Sequence, residues 1–246
     1  MGIGARAPRP QQADEKYGNA GETPALQQDG EKCGRDARAP ASKYWHSRGY
    51  LPHCDVPGLL QFITFRLADS LPADTFEGLC QDSDERNSRI EELLDAGHGE
   101  CLLQHPEVAA IVENALLHFD GQRYLLLAWC VMPNHVHLLI QTREEWNLSD
   151  LLHGWKSFTS HAINSHLGRN GAVWMADYFD RYIRDDLHLA AVIEYIHGNP
   201  VKARLVDDAD AWSYSSAGAR ASRPHDIDNM FENCGRDARA PTGTTP

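Results

Sequence analysis

Residues 131–140, which read VMPNHVHLLI, decide how the rest of the chain is interpreted. The run from Tyr124 to Val131 upstream is apolar and rich in strand formers, and so is the run from His137 to Gln141 downstream. Pro133-Asn134 separates the two runs, as expected of a turn. We therefore predict two strands that meet at a tight corner.

The same stretch contains the only His-x-His of the chain, at His135 and His137. Successive strand side chains point to opposite faces, so these two histidines share one face while Val136 points into the core. Two imidazoles about 7 Å apart along a strand can converge on one metal ion. Two half-buried strand histidines satisfied by hydrogen bonds would show the same pattern, so the motif alone leaves both interpretations open.

Composition and charge limit the classes of function. The chain has 246 residues and is 42% hydrophobic, which is enough for one core of moderate size with appendages. Its formal net charge of −12 argues against a protein that depends on nonspecific attraction to duplex DNA. The acidic residues are concentrated between 69 and 120, whereas from Arg143 to Arg204 seven basic residues stand against eight acidic ones. A local nucleic-acid-binding face is therefore compatible with the overall charge.

Cysteine spacing and apolar run length predict the compartment. The six cysteines form no Cys-x-x-Cys pair, which disfavours a structural zinc site and suits reduced thiols. No apolar run reaches the length of a membrane span, and residues 1–14 lack a signal-peptide core. We expect a soluble, cytoplasmic protein with no membrane partner.

The chain divides into a core and two tails. Residues 1–41 and 218–246 are rich in Gly, Pro, Ala and charge without periodicity, and are predicted to be disordered. The candidate domain, 42–217, shows a strand at 60–67, helices at 72–96, 105–119 and 149–167, and a last helix from Asp185 or Asp186. Strands and helices in this order predict an α+β fold, a small antiparallel sheet with helices on one face.

The tails contain an unusual repeat. The peptide CGRDARAP occurs at 33–40 and again at 234–241. With one choice of codons, the DNA string gcgggcgagacgcccgcgctc encodes residues 20–26. The same string read in a shifted frame encodes the repeated peptide. Its reverse complement, extended by the bases of the following Pro codon, encodes residues 218–224. Arms gcgggcg and cgcccgc flank the spacer aga, so we hypothesise that the tails are translated copies of a DNA hairpin flanking the gene. Ordinary Ala/Arg/Pro-rich disorder is the alternative, and the nucleotide sequence of the gene decides between them.

The last helix carries a second set of chemical groups. Leu189, Val192, Ile193 and Ile196 form its buried stripe, and Gly198-Asn199-Pro200 is predicted to end it. Tyr195 and Asn199 are four residues apart and therefore neighbours on one face. A hydroxyl and an amide oxygen at a helix end would suit a metal held by two imidazoles.

Taken together, several ordered motifs closely resemble the REP-associated tyrosine transposases, relatives of the single-tyrosine HUH transposases of small insertion sequences. The resemblance spans nearly the whole core and rests on these stretches: GYLPH at 49–53, FRLADSLP at 65–72, PNHVH at 133–137, WKSFT at 155–159, YFDRYIR at 178–184 and YIHGNPVKA at 195–203. One departure is Arg204, where the family usually has Gly; it puts the local turn in doubt more than the chemistry.

The resemblance implies a ferredoxin-like α+β fold, a divalent cofactor and a covalent mechanism. His135 and His137 would be metal ligands for Mg²⁺ or Mn²⁺, Asn199 a further ligand and Tyr195 the nucleophile. Attack on a scissile phosphodiester would give a 5′-phosphotyrosine and a free 3′-OH. No residue is a certain base for Tyr195; His188 and His197 are weak candidates, and Tyr178 and Tyr182 are the competing nucleophiles.

The expected partner is single-stranded DNA folded into a hairpin, bound by a monomer or a homodimer at the nucleoid. The basic residues that we predict to contact the DNA phosphates are Lys156, Arg181, Arg184 and Lys202. Three aromatic residues could stack on DNA bases or, equally well, pack in the hydrophobic core: Trp155, Trp174 and Tyr178. A hairpin-binding module without strand transfer and a different metal-dependent hydrolase remain the alternatives.

Overall fold

The computed structural model describes residues 45–47, 52–72 and 83–219. The disorder predicted for 1–41 and for nearly all of 218–246, with the peptide repeat, lies outside the described residues. So do residues 49–51 of the GYLPH motif and residues 73–82, the first part of the helix predicted at 72–96. In the described part, no helix is long and apolar enough to cross a membrane.

The strands and helices predicted for the core appear in the predicted order, together with short strands and a short helix that were not predicted. The strands are β1 (Trp45–Ser47), β2 (Pro52–Cys54), β3 (Leu60–Arg66), β4 (Tyr124–Val131), β5 (His135–Thr142) and β6 (Phe179–Tyr182). The helices are α1 (Ser83–Asp95), α2 (Pro106–His118), α3 (Leu148–Leu167), α4 (Asp186–Lys202) and α5 (Ser216–Ala219), with short 3-10 helices at Leu102–Gln104 and Ala209–Ala211.

The main sheet has four strands in the order β4-β5-β3-β6, and every pairing is antiparallel. With its helices, this is the α+β, ferredoxin-like arrangement that was predicted. β5 lies inside the sheet, so its backbone is bonded on both sides. It begins at His135, two residues earlier than the predicted run, and the corner at Pro133-Asn134 is confirmed. Both histidines are therefore held by an interior strand of the sheet.

The helices divide between the two faces of the sheet, whereas a single covered face was expected. α2 and α3 pack on the face that carries Val136, Leu138 and Ile140. α4 packs on the opposite face, where its stripe meets Leu139 and the side chains of β3 and β4. The reason is in the strand sequence: β5 is buried at nearly every position and places apolar side chains on both faces, so both faces need covering.

Two helix boundaries differ from the sequence prediction. α4 was predicted to end at Gly198-Asn199-Pro200, but it continues to Lys202 with Pro200 inside its last turns. This adds Lys202 to the face of Tyr195 and Asn199, since positions 195, 199 and 202 lie one above the other on a helix. α3 was predicted to be capped by Ser149 or Asp150, whereas its N-cap is Asn147.

The N-terminus of α3 is capped by a residue outside the helix. The Leu148 amide and the Ser149 hydroxyl donate to the two carboxylate oxygens of Asp55, each at 2.7 Å. A carboxylate at this end is favourable because the first amides of a helix carry partial positive charge. At the start of α4, the Asp185 carboxylate accepts from the His188 amide at 2.8 Å, as the predicted cap requires.

Candidate metal and nucleophile site

The two histidines of β5 meet at their Nε2 atoms. Both are about 1% exposed, and the Nε2 of His135 lies 3.0 Å from the Nε2 of His137. Neighbouring ligands of an octahedral ion bound at about 2.1 Å are about 3.0 Å apart, so the two nitrogens are spaced to share one cation. Each Nδ1 faces away and has a polar partner: Asn134 for His135 at 2.7 Å and Thr64 for His137 at 2.8 Å.

Burial keeps both imidazoles neutral. It lowers the pKa of His135 to about 3, with a further contribution from the charge of Lys202. Burial, the neighbouring imidazole and Lys202 hold the pKa of His137 well below its ordinary value. A neutral imidazole has a nitrogen lone pair, which is the form that binds a metal.

Tyr195 on α4 approaches the histidines from the covering helix. Its ring centroid lies 5.4 Å from that of His137, and the two rings meet edge to face. Phe62 completes this contact, stacked on His137 at 5.6 Å and edge-on to Tyr195 at 5.8 Å. The structure therefore brings together two motifs that are far apart in the sequence.

Asn199 and Tyr195 have polar atoms without partners. The Asn199 side chain is 1% exposed, and its Nδ2 donates to the Tyr195 carbonyl at 3.1 Å. Its Oδ1 and the Tyr195 hydroxyl are buried and have no close hydrogen-bond partner, although the Asn199 side chain and the Glu91 carboxyl group lie near enough to the hydroxyl to affect its pKa. Such groups cost free energy unless something else satisfies them. An amide oxygen left in this state is suited to bind a cation.

The residues present fit a hard divalent ion. Among the described residues, no group of three or more His, Cys, Asp and Glu side chains could hold a metal ion. A third protein ligand for a metal held by the two histidines would therefore be of another type, and the buried Asn199 oxygen is one that Mg²⁺ and Mn²⁺ accept. Two imidazoles and one amide oxygen also leave coordination positions for a substrate.

Charged residues surround Tyr195, and the sequence reasoning missed two of them. Lys202 Nζ lies 3.0 Å from Asp95 Oδ2 and 5.7 Å from the centroid of the Tyr195 ring. Burial, together with the charges of Glu91 and Asp95, raises the pKa of Tyr195 well above its ordinary value. Burial also raises the pKa values of both carboxyl groups, while Lys202 opposes these shifts. α1 thus places two carboxyl groups, one turn apart, beside the tyrosine.

The other predicted DNA contacts occupy different surroundings. Arg181 has its guanidinium 5.7 Å from the Phe179 ring, and its charge lowers the pKa of His188 together with burial and Arg184. Arg184 is exposed. Lys156 instead donates to the carbonyls of Met175, Ala176 and Asp177 at 3.0, 3.1 and 3.0 Å. These bonds give Lys156 a structural role on the α3 side of the sheet; its proposed phosphate contact stays a prediction.

The three aromatic residues considered for base stacking lie in the core. Trp155 is 5% exposed, and Trp174 and Tyr178 are 7% exposed. The Trp174 Nε1–H donates to Thr159 at 2.8 Å, and Tyr178 stacks on His53 at 4.1 Å between centroids. Their positions match the core interpretation.

His53, from the GYLPH motif, is part of a second buried polar cluster. Its Nδ1 lies 2.5 Å from Asp180 Oδ1 and its Nε2 lies 2.9 Å from Asp177 Oδ1. Burial lowers the pKa of His53, but the two carboxylates outweigh it and the pKa is raised. The cluster ties β2 to β6 and so helps to place the segment that carries Arg181.

Arg204 lies in the turn after α4, at the position where the transposase family usually has Gly. Arg204 has a φ of 57°, in the left-handed region where glycine is favoured. Its amide donates to the Val201 carbonyl, and that of Leu205 to the Pro200 carbonyl, both at 2.9 Å. The turn is thus formed with a non-glycine residue in a conformation that glycine adopts at lower cost.

Comparison with known proteins agrees with the resemblance drawn from the sequence. Residues 106–199, from α2 to the predicted ligand Asn199, match the family model described as Transposase IS200 like. A Haemophilus influenzae protein assigned by name to the REP-associated tyrosine transposases is 31% identical over 100 residues. The resemblance to the REP-associated tyrosine transposases is confirmed. That match covers 37% of this chain and 57% of the relative, so it spans little more than half of the relative's length.

One solved structure supports the fold, and a second aligns less well. A REP-associated tyrosine transposase bound to a REP hairpin aligns with a TM-score of 0.51 and 18% identity, over 71% of this chain and 86% of that one. A transposase from Deinococcus radiodurans R1 aligns with a TM-score of 0.31 and 18% identity, over 63% and 96% of the two chains. The first alignment shows that the ferredoxin-like core of this chain is shared with a transposase of this type.

Proposed function

We propose that this protein is a metal-dependent single-stranded DNA endonuclease and strand transferase that acts on hairpin-forming palindromes in a transposase-like reaction. The observation that carries the proposal is the contact between the His137 and Tyr195 rings, 5.4 Å apart between centroids. It joins a metal-binding pattern on β5 to a nucleophile on α4. We assign the activity to the cytoplasm, at the nucleoid.

His135, His137 and Asn199 would hold Mg²⁺ or Mn²⁺. A bound divalent ion would polarise the scissile phosphodiester and stabilise the charge that develops on it. The imidazoles suit this role because burial keeps them neutral, and Asn199 suits it because its Oδ1 has no other partner. We therefore expect cleavage to require the cation.

Tyr195 would supply the nucleophilic oxygen. Its oxygen forms a bond to phosphorus as the bond from phosphorus to the 3′ oxygen breaks, giving a 5′-phosphotyrosine and a free 3′-OH. The tyrosine proton leaves to a base or water, and the departing 3′ oxygen takes up a proton. Because a phosphodiester bond is kept in the intermediate, another 3′-OH can reverse the step and join new DNA.

The tails suggest a specific hairpin as substrate. The relative of known structure was solved with a REP hairpin, and the codon reading of the tails of this chain yields arms gcgggcg and cgcccgc around the spacer aga. Single-stranded DNA with these arms folds back on itself and exposes flexible phosphodiesters at its foot. We propose this palindrome, with its flanking bases, as the DNA that the site takes.

A covalent-adduct assay tests the function. Purified protein is incubated with Mn²⁺ and the palindrome oligonucleotide labelled at its 3′ end, because a 5′-phosphotyrosine retains the downstream fragment. We expect a labelled protein band on a denaturing gel. Tyr195→Phe should lower its yield below about one part in a thousand, since the nucleophilic oxygen is lost. Tyr182→Phe is the matched control and should retain the band.

The same assay separates the alternatives. Hairpin binding without cleavage would support a binding module that has lost strand transfer. Cleavage without an adduct would support a different metal-dependent hydrolase, and the absence of both binding and cleavage would refute the proposal. An oligonucleotide whose second arm repeats gcgggcg cannot fold into the hairpin and serves as the DNA control.

We also propose that one chain completes the site. β5 and α4 of the same chain bring His137 and Tyr195 into contact, so no second copy is needed to supply the nucleophile. Mixing Tyr195→Phe protein with His137→Ala protein should therefore fail to restore the adduct. Restoration by the mixture would show a homodimer with shared sites.

A further inference from the structure

The imidazole of His135 has its proton position set by Asn134. The Asn134 Nδ2 donates to the His98 carbonyl at 3.0 Å, which fixes the amide orientation and turns Oδ1 towards His135. That oxygen lies 2.7 Å from His135 Nδ1, and an amide oxygen can only accept. His135 Nδ1 must therefore carry the proton. In a neutral ring, Nε2 is then left with its lone pair free.

His137 faces a partner that can either donate or accept. Its Nδ1 lies 2.8 Å from the Thr64 hydroxyl, while its Nε2 lies 3.0 Å from that of His135. Because the His135 Nε2 carries no proton, His137 Nε2–H donates to it in the metal-free protein. The Thr64 hydroxyl then donates to His137 Nδ1.

His137 would need the opposite tautomer to offer its Nε2 lone pair to a cation. Nε2 would then give its proton to solvent while Nδ1 takes one from solvent, and the Thr64 hydroxyl would rotate to accept from Nδ1–H. The ring would stay neutral, and no net proton would be released. A hydroxyl permits this exchange because it is donor and acceptor at once, whereas an amide at the same place would hold one tautomer.

The fold supplies both partners from rigid positions. Thr64 on β3 is directly opposite His137 in the strand pairing, and Asn134 forms the corner at which β5 begins. Asn134 is fully buried and Thr64 is 8% exposed. Stacking of Phe62 on His137 further limits rotation of that ring. Each hydrogen-bonds to an Nδ1 atom of the histidine pair, so both act through the imidazoles.

We propose that Asn134 and Thr64 are positioning residues for a divalent cation: Asn134 fixes the metal-binding tautomer of His135, and Thr64 allows His137 to switch into it. The inference rests on the proposed function, because it concerns the cation of the same site. It goes further by naming two residues that set the affinity for that cation without binding it.

Binding of Mn²⁺ measured by calorimetry tests the proposal without any activity readout. Thr64→Val and Asn134→Leu keep the side-chain volume but remove the hydrogen-bonding group, and each should weaken Mn²⁺ binding about 10- to 100-fold. Thr64→Ser keeps a hydroxyl in place and should bind much as wild type does. Thr159→Val is the matched control, the same change at a threonine on α3 that is 2% exposed.

Nitrogen NMR of the imidazoles reports the tautomers directly. In metal-free wild type we expect the Nδ1–H form of His135 and the Nε2–H form of His137, with a switch of His137 to Nδ1–H on addition of Mg²⁺. Asn134→Leu should lose the defined tautomer of His135 even if the fold is intact. These spectra separate a positioning role from a loss of folding.

The outcomes are distinguishable. If wild type binds Mn²⁺ and both Thr64→Val and Asn134→Leu bind it as Thr159→Val does, the positioning roles are refuted while the proposed function stands. If wild type binds no Mn²⁺, both the positioning roles and the metal part of the proposed function are refuted. Weakened binding in the two variants, with Thr64→Ser near wild type, supports the inference.

Discussion

The site has a β5 half, formed by His135 and His137, and an α4 half, formed by Tyr195 and Asn199. The two halves differ in how many of their buried polar atoms have hydrogen-bond partners. On β5, both Nδ1 atoms of the histidine pair have partners, and the strand is bonded on both sides. On α4, the Tyr195 hydroxyl and the Asn199 Oδ1 are buried without a close hydrogen-bond partner, and the hydroxyl has only the weaker influence of Glu91 and Asn199 nearby. The β5 half is therefore preorganised, whereas the α4 half is completed only when something else binds.

The comparison shows which residues define the site and which respond to its occupant. Buried polar atoms in folded proteins are nearly always paired, so unpaired ones indicate a missing partner. Two unpaired atoms at neighbouring positions of one helix, beside two neutral imidazoles, are what a metal and a phosphate group would satisfy. The predictions below test this contrast, beginning with the largest effect.

Asn199→Ala removes the unpaired oxygen from the α4 half. If this oxygen is a ligand, the affinity for Mn²⁺ measured by calorimetry should fall about tenfold or more, by analogy with losses at metal sites. Asn164→Ala is a close control, because Asn164 on α3 also has a buried Oδ1 without a partner and an Nδ2 that donates to a carbonyl. Equal Mn²⁺ affinity in the two variants would mean that Asn199 is not a ligand.

Lowering the pH should reduce the stability of the folded protein through the two histidines of the β5 half. The folded-state pKa of His135 is about 3 and that of His137 is also lowered, while both are near 6.5 when unfolded. The unfolded chain therefore binds more protons between these values, and stability falls as the pH drops below 6.5. At pH 5 the loss should be about 2 kcal/mol for each histidine.

Chemical denaturation of metal-free protein at pH 7.5 and pH 5 measures this loss. His137→Leu should show a shallower decline with acid, because one of the two buried bases is gone. The raised pKa values of Glu91 and Asp95 act in the opposite direction, since their stabilising effect is lost as the pH rises. A decline in His137→Leu as steep as in wild type would show that the histidine pair is not its cause.

Asp95→Asn should release Lys202 on the α4 half. Asp95 accepts from Lys202 at 3.0 Å, so a phosphate group must compete with this carboxylate for the ammonium. We expect hairpin affinity, measured by fluorescence anisotropy, to rise about threefold, as suits a partly exposed ion pair. Glu92→Gln makes the same change of charge on α1 at a solvent-exposed pair with Arg89. If both variants gain equally, overall charge is the cause and the specific competition is ruled out.

Arg204→Gly should stabilise the end of α4. The φ of 57° costs an ordinary residue about 1 kcal/mol, and glycine avoids this cost. Thermal unfolding should show a gain of up to about 1 kcal/mol, because the greater freedom of glycine in the unfolded chain offsets part of it. Arg204→Ala keeps the strained backbone and should show no gain. A similar gain in stability in both variants would show that loss of the arginine side chain, and not relief of the backbone strain, causes it.

The sequence by itself determined the elements of the core and the identity of the transposase-like motifs. β4 was predicted with its observed bounds and β3 to within one residue, because long apolar runs broken by turn residues have few alternative structures. The His-x-His pattern placed both imidazoles on one face for the same local reason, the period of a strand. These predictions depend only on neighbours in the chain.

Only the tertiary structure decided what surrounds the two motifs. It placed α4 on the opposite face from α2 and α3, extended α4 to Lys202, and brought Thr64, Glu91 and Asp95 to the site. In the sequence, Thr64 is one polar residue of a strand and the two acids belong to a charged helix. Their roles arise from strand register and helix docking, which bring distant residues into contact and which no local period encodes.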